Sequence, residues 1–147
     1  MDEWIITFAL GWLMFLLLVD KARLHRTVWG GITAVVLQLI VDTEASNLGL
    51  YTIISKYHLG GGSTLFTFGV VFTMGTLFVQ FIPTNNWLKV AHILVIATLF
   101  LALEYLLEYR SILVYHYWHM GASWFTNILV FIAITWTAEN IYLRKSR

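Results

Sequence analysis

Apolar residues in this chain gather into five runs, with the polar residues collected between them. Residues 4–19, 27–41, 64–82, 90–103 and 120–138 contain no Asp, Glu, Lys or Arg. Each run is near the length a helix needs to cross a ~30 Å hydrocarbon layer. Such a layer offers backbone N–H and C=O groups no water partner, so a helix, which bonds them within one segment, is the economical way through. The pattern therefore predicts an all-α fold, an integral membrane bundle of five transmembrane helices at about 4–19, 27–41, 64–82, 88–107 and 120–138. Five spans in 147 residues leave only short connectors, so residues 1–147 read as a single transmembrane domain.

Composition points the same way. The chain is 59% hydrophobic and 12% charged, where a soluble domain is roughly 25% charged. It has no Cys, which removes disulfides and thiolate metal or redox sites from consideration. The first run is preceded by Asp2 and Glu3 rather than a basic segment, and no small-residue cleavage site follows it. It is expected to be retained as a span rather than removed as a signal peptide.

Charge adds an orientation. Lys21, Arg23 and Arg26 lie between the first two runs, Lys89 opens the fourth, and Arg144, Lys145 and Arg147 form the tail. Five crossings put these seven of the nine basic residues on one side, leaving Lys56 and Arg110 opposite. The positive-inside tendency then sets the N-terminus outside and the C-terminus in the cytoplasm. The basic groups suit anionic lipid headgroups and not nucleic acid. The expected partners are the lipid bilayer and either a second copy of the chain or another membrane protein.

The connectors carry their own signals. Residues 42–59 form the longest, and Leu48, Leu50, Ile53, Ile54 and Tyr57 could make an amphipathic turn at the outer interface. Alternatively the second span continues past a break near Asn47–Gly49. Gly60-Gly61-Gly62 reads as a hinge, with Ser63 or Thr64 as N-cap of the third span. Pro83 ends that span, and Trp87 marks the cytoplasmic interface. Within the third span Gly69, Thr73 and Thr76 share a face, widened by Thr67 and Gly75. Small residues there allow close helix contact and make this the expected central helix.

Ionisable groups inside a membrane are costly unless paired or hydrated, so they are the candidates for function. Glu104 and Glu108 lie one turn apart near the outer end of the fourth span. They suit a proton or cation site. As plain structure, Glu104 would bond a Thr, Tyr or Trp of a neighbouring span, and Glu108 would pair with Arg110. His116 and His119 follow on the same side, together with Asp42 and Glu44, as an outer-face polar cluster. Glu and His at this depth could in principle bind a metal, but the spacing matches neither His-Glu-x-x-His nor Glu-x-x-His. The neighbouring Trp118 and Trp124 read as an interfacial aromatic belt. No nucleophile elbow, Walker loop or dinucleotide fingerprint occurs, so no catalytic residue, metal ligand or cofactor is assigned.

One family resemblance emerges from these motifs. Phe66-Thr67-Phe68, the apolar run closing at Pro83, Glu104-x-x-x-Glu108, Leu113-Val114-Tyr115, and Trp118 with Trp124 six residues on are its elements. In these the chain resembles a family of small, largely uncharacterised five-span membrane proteins of spore-forming Gram-positive bacteria. The resemblance covers residues 64–140. Two features depart from that pattern: Gln80 stands near where an Asn precedes the Pro, and Tyr109-Arg110 replaces basic residues after the second Glu. The resemblance implies the five-span fold and brings no activity with it.

The leading functional expectation is a non-enzymatic membrane protein with an accessory, sensing or envelope-associated role. The alternative is a small-solute or ion-translocating protein using Glu104. A third reading, a metal-dependent hydrolase built on Glu104, Glu108, His116 and His119, needs both imidazoles to face the glutamates. A single partner for a buried Glu104 would favour the first, and a polar cavity reaching it the second.

Overall fold

The computed structural model describes residues 2–143; the tail basic residues Arg144, Lys145 and Arg147 lie outside the described residues. Five helices carry most of the chain. They are α1 (Glu3–Leu18), α2 (Leu24–Asn47), α3 (Thr64–Gln80), α4 (Asn86–Tyr109) and α5 (Met120–Tyr142). Three of them, α2, α4 and α5, are long and apolar enough to cross a membrane. With 16 and 17 residues, α1 and α3 reach only ~24–26 Å at 1.5 Å per residue.

The fold is mostly helical, as the all-α reading expects, with two short two-stranded ladders added between the helices. Strand β1 (Tyr51–Ile53) pairs antiparallel with β4 (Leu113–Tyr115), in the register Tyr51 with Tyr115 and Ile53 with Leu113. Between them β2 (His58–Leu59) pairs with β3 (Gly62–Ser63). The segment read as an amphipathic turn is thus a strand and a small hairpin. Its backbone is satisfied by β4, which comes 60 residues later and is itself too short to signal a strand. The glycine triplet is the hairpin turn: Gly60 and Gly61 hold φ of +58° and +85°, the left-handed region that glycine enters without strain.

Helix ends follow local chemistry. Asp2 accepts the Trp4 N–H at the start of α1, and Asn85 accepts from Trp87 and Leu88 at the start of α4. Ser63 does occupy the N-cap position of α3, but its hydroxyl bonds Ser55 Oγ at 3.1 Å and not the helix backbone. Helix α2 runs on through Asp42 and Glu44 to Asn47, and Gly49 (φ +66°) then turns the chain.

Helix α3 is packed between α1 and α2, and its small residues serve two contacts rather than one face. Gly69 abuts Phe8, while Gly11 of α1 abuts the Gly69 carbonyl. Gly75 abuts Gly30, Gly31 and Ala34; a Cβ on Gly75 would lie 2.8 Å from the Gly30 carbonyl oxygen. These backbones touch, as glycine permits. Gly69 lies within a turn of π-helix at Thr67–Val71, and Gly75 in the α-helical stretch Phe72–Gln80 that follows. Below, Gln80 is buried and grips the α1–α2 connector from both sides, donating to Leu18 O and accepting from Asp20 N, each at 2.8 Å. On the outside of the bundle, Leu10, Leu13, Met14, Leu16 and Leu17 of α1 are exposed, an apolar surface suited to lipid.

Candidate functional site

Two helices of the bundle end in the same way. Helices α2 and α4 each have 24 residues, and each carries a carboxylate five residues before its C-terminal end: Asp42 and Glu104. That places both groups ~7.5 Å inside their helices. Each helix is followed by a strand, and the ladder sets Tyr51 of β1 directly opposite Tyr115 of β4. Each tyrosine hydroxyl points to the carboxylate of its own helix. Tyr51 donates to Asp42 Oδ1 at 2.7 Å, and Tyr115 to Glu104 Oε2 at 3.4 Å.

The two carboxylates are held differently. Asp42 is 1% exposed, takes a second bond from Gln38 Nε2 at 2.9 Å, and lies against Gly62, where a Cβ would overlap it. Glu104 is partly accessible, and its second donor, Asn127 Nδ2, is also at 3.4 Å. Both Glu104 contacts are beyond the 2.5–3.2 Å of a good hydrogen bond. A third polar strand of the network runs through Ser123, which is 3.0 Å from the Tyr115 hydroxyl and accepts from Trp118 Nε1 at 2.6 Å. A hydroxyl has one proton to give. Either hydroxyl can be the donor in the Tyr115–Ser123 bond, and Ser123 also reaches Glu104, so Trp118, Ser123, Tyr115 and Glu104 form one polar cluster. Burial first, and then the charges of nearby carboxylates, push the Tyr51 and Tyr115 hydroxyls well up, with the Ser123 bond partly opposing this at Tyr115. Both therefore stay protonated donors at neutral pH.

These groups form one end of a cavity between α2, α3, α4 and α5. Its interior volume is about 70 Å³, and roughly 10–15 Å³ measured this way suffices for one water, so several waters or a small solute would fit. Gln38, Asp42, Tyr51, Glu104, Ser123 and Asn127 give the polar end; Val71, Met74, Phe100, Phe131 and Ile134 give the apolar end.

Other expected site residues fall elsewhere. Glu108 is outside the cavity wall and does not pair with Arg110; that guanidinium bonds Glu3 at 2.7 Å, an exposed contact joining α1 to the end of α4. Glu44 is exposed on α2. His116 follows β4 with its Nε2 2.9 Å from Thr52 Oγ1, and His119 caps α5 through Nδ1, accepting from Ala122 N at 3.1 Å. The helical alignment of the two histidines with the glutamates does not exist, because 113–119 is strand and loop. Among the described residues no three His, Asp or Glu side chains are placed to hold a metal ion. Trp118 turns inward onto Ser123 and the cavity wall. Trp124 stays exposed on α5, with its indole N–H on Thr98 of α4 at 3.2 Å.

Gln38, Tyr51, Ser123 and Asn127 belong to the site and were not singled out from sequence. A signal was present: Gln38 with Asp42, and Ser123 with Asn127, are polar pairs four apart within apolar runs, which puts each pair on one helix face. Comparison with protein-family models, with curated proteins and with solved structures gives no match.

Proposed function

We propose that the protein is a small-solute- or ion-translocating protein of a bacterial cell membrane that takes its solute into this cavity at Glu104. It crosses the membrane five times, with the strand ladder and the cavity's polar end at the outer face. The seven-to-two split of basic residues, the lipid-suited surface of α1, and the resemblance of residues 64–140 to five-span proteins of spore-forming Gram-positive bacteria support that arrangement. The observation that carries the functional reading is Glu104. It has several weak partners and faces a cavity, whereas Asp42, at the same end, is 1% exposed and held by short bonds from Tyr51 and Gln38. A non-enzymatic sensing or accessory role, in which the same cavity binds a solute without moving it across, is the second reading.

The test is chemical access. Intact spheroplasts are treated with a water-soluble carbodiimide and a small amine, and modified carboxylates are mapped by mass spectrometry. Glu104 should be modified and Asp42 spared. If Glu104 remains unmodified while exposed Glu44 reacts, the cavity is closed to solute and the proposal fails.

A further inference from the structure

We infer that the solute is a small organic cation, an ammonium or similar head on a short apolar body; this rests on the cavity-binding reading above. The cavity wall contains two carboxylates and no Lys, Arg or His. The nearest basic side chains are committed elsewhere, Arg110 to Glu3 and His116 to Thr52. An anionic solute would meet Asp42 and Glu104 with no compensating charge, which is unfavourable in a low-dielectric site.

Hydrogen-bond capacity argues the same way. A carboxylate offers about four acceptor positions. Glu104 receives two donors, one on each oxygen, and both are long. What it lacks is a strong donor. The remaining polar groups at that end are already spent: Tyr51 and Gln38 on Asp42, Tyr115 on Glu104, and Trp118 on Ser123. An ammonium head brings up to three donors and a positive charge to a cavity whose two carboxylates, Glu104 with only long bonds and Asp42 with both of its bonds on Oδ1, have acceptor positions to spare.

The walls around that position are aromatic. The Tyr51 ring meets Tyr115 edge-on at 6.2 Å and Trp118 at 5.9 Å, so three electron-rich rings stand together over the polar end. Ring faces attract cations, and tyrosine and tryptophan do so best. Beyond the carboxylates the cavity becomes purely apolar, through Phe100, Met74, Phe131 and Ile134. A bare metal ion or proton has no use for that half, whereas a short alkyl chain would fill it.

Three size-matched probes separate charge from bulk: n-butylammonium, n-butanol and butyrate, added to the purified full chain in nanodiscs at neutral pH. Binding is read by tryptophan fluorescence, since Trp4 and Trp118 line the cavity, and by protection of Glu104 from carbodiimide. Butylammonium should bind saturably and at least tenfold tighter than butanol, with no binding of butyrate. Glu104→Gln should weaken butylammonium at least tenfold and leave butanol unchanged. Equal binding of butylammonium and butanol would overturn the cation inference and leave the cavity-binding reading standing. If Glu104 is labelled but none of the probes protects it, the cation inference also fails, with access to the cavity intact. If Glu104 cannot be labelled at all, both fall.

Discussion

Asp42 and Glu104 occupy equivalent places in two copies of one local plan, a long helix, a carboxylate five residues from its end, and a strand tyrosine that returns to it. One copy is shut and the other is open. At Asp42 the tyrosine bond is 2.7 Å, a glutamine on the next helical turn adds another, and Gly62 closes over the group. At Glu104 the equivalent tyrosine bond is 3.4 Å, because the Tyr115 hydroxyl is shared with Ser123, and the opposing face is cavity. A carboxylate becomes a structural tie when short bonds from its own segment hold it in place. It becomes available for chemistry when its donors are divided among other partners.

The largest effect expected from this contrast is on stability. Asp42→Ala strands the Tyr51 hydroxyl and the Gln38 amide in a buried site, and two unsatisfied polar groups at about 1–3 kcal/mol each should cost roughly 3 kcal/mol. Glu104→Gln keeps the shape of the side chain and loses only weak bonds, and should stay within about 0.5 kcal/mol of wild type. Unfolding midpoints in detergent compare the two, and similar losses would erase the distinction.

A milder pair probes the tyrosines. Tyr51→Phe removes a short bond to a buried carboxylate and should cost about 1.5–2 kcal/mol. Tyr115→Phe leaves Ser123 free to turn toward Glu104 and should cost under about 0.5 kcal/mol. The reverse ranking would mean that the Glu104 side is the tighter one.

The smallest effect is on pH dependence. Both tyrosine hydroxyls are raised in the fold, so their contribution to stability is complete below the unfolded value of ~10 and is lost as pH rises above it. Unfolding midpoints at pH 9, 10 and 11 should fall progressively. Tyr51→Phe should flatten that fall more than Tyr115→Phe, and an unchanged slope in both variants would place the alkaline sensitivity elsewhere.

The helices were legible because charge-free runs of this length have few alternatives. Their ends were less so. The second apolar run was read as closing at Val41, with continuation past a break near Asn47–Gly49 as the alternative; α2 ends at Asn47, and Tyr51 and Gln38 satisfy the Asp42 carboxylate within it. The Leu113-Val114-Tyr115 stretch was noticed as a motif but not as a strand: three residues make no period, and the partner lies 60 positions away. Gly30 and Gly31 passed as members of an apolar run, although they take the closest approach of α3. Glu104 was legible as an unusual group in an apolar setting. What surrounds it was not, because that depends on which loops come together over it.

The β1–β4 ladder also imposes an order on biogenesis. Residues 51–53 have no strand partner until residue 113 and beyond have been synthesised and α4 has taken its place, so the ladder closes after the helices on either side of it exist. Until then Trp118, Ser123 and Tyr115 are absent from the Glu104 neighbourhood, while Asp42 already has Gln38 and Tyr51 within its own segment. On the membrane-spanning arrangement proposed above, a nascent chain brings α2 into the membrane with its acidic group already sheltered. It must carry α4 in with Glu104 still waiting for its neighbours.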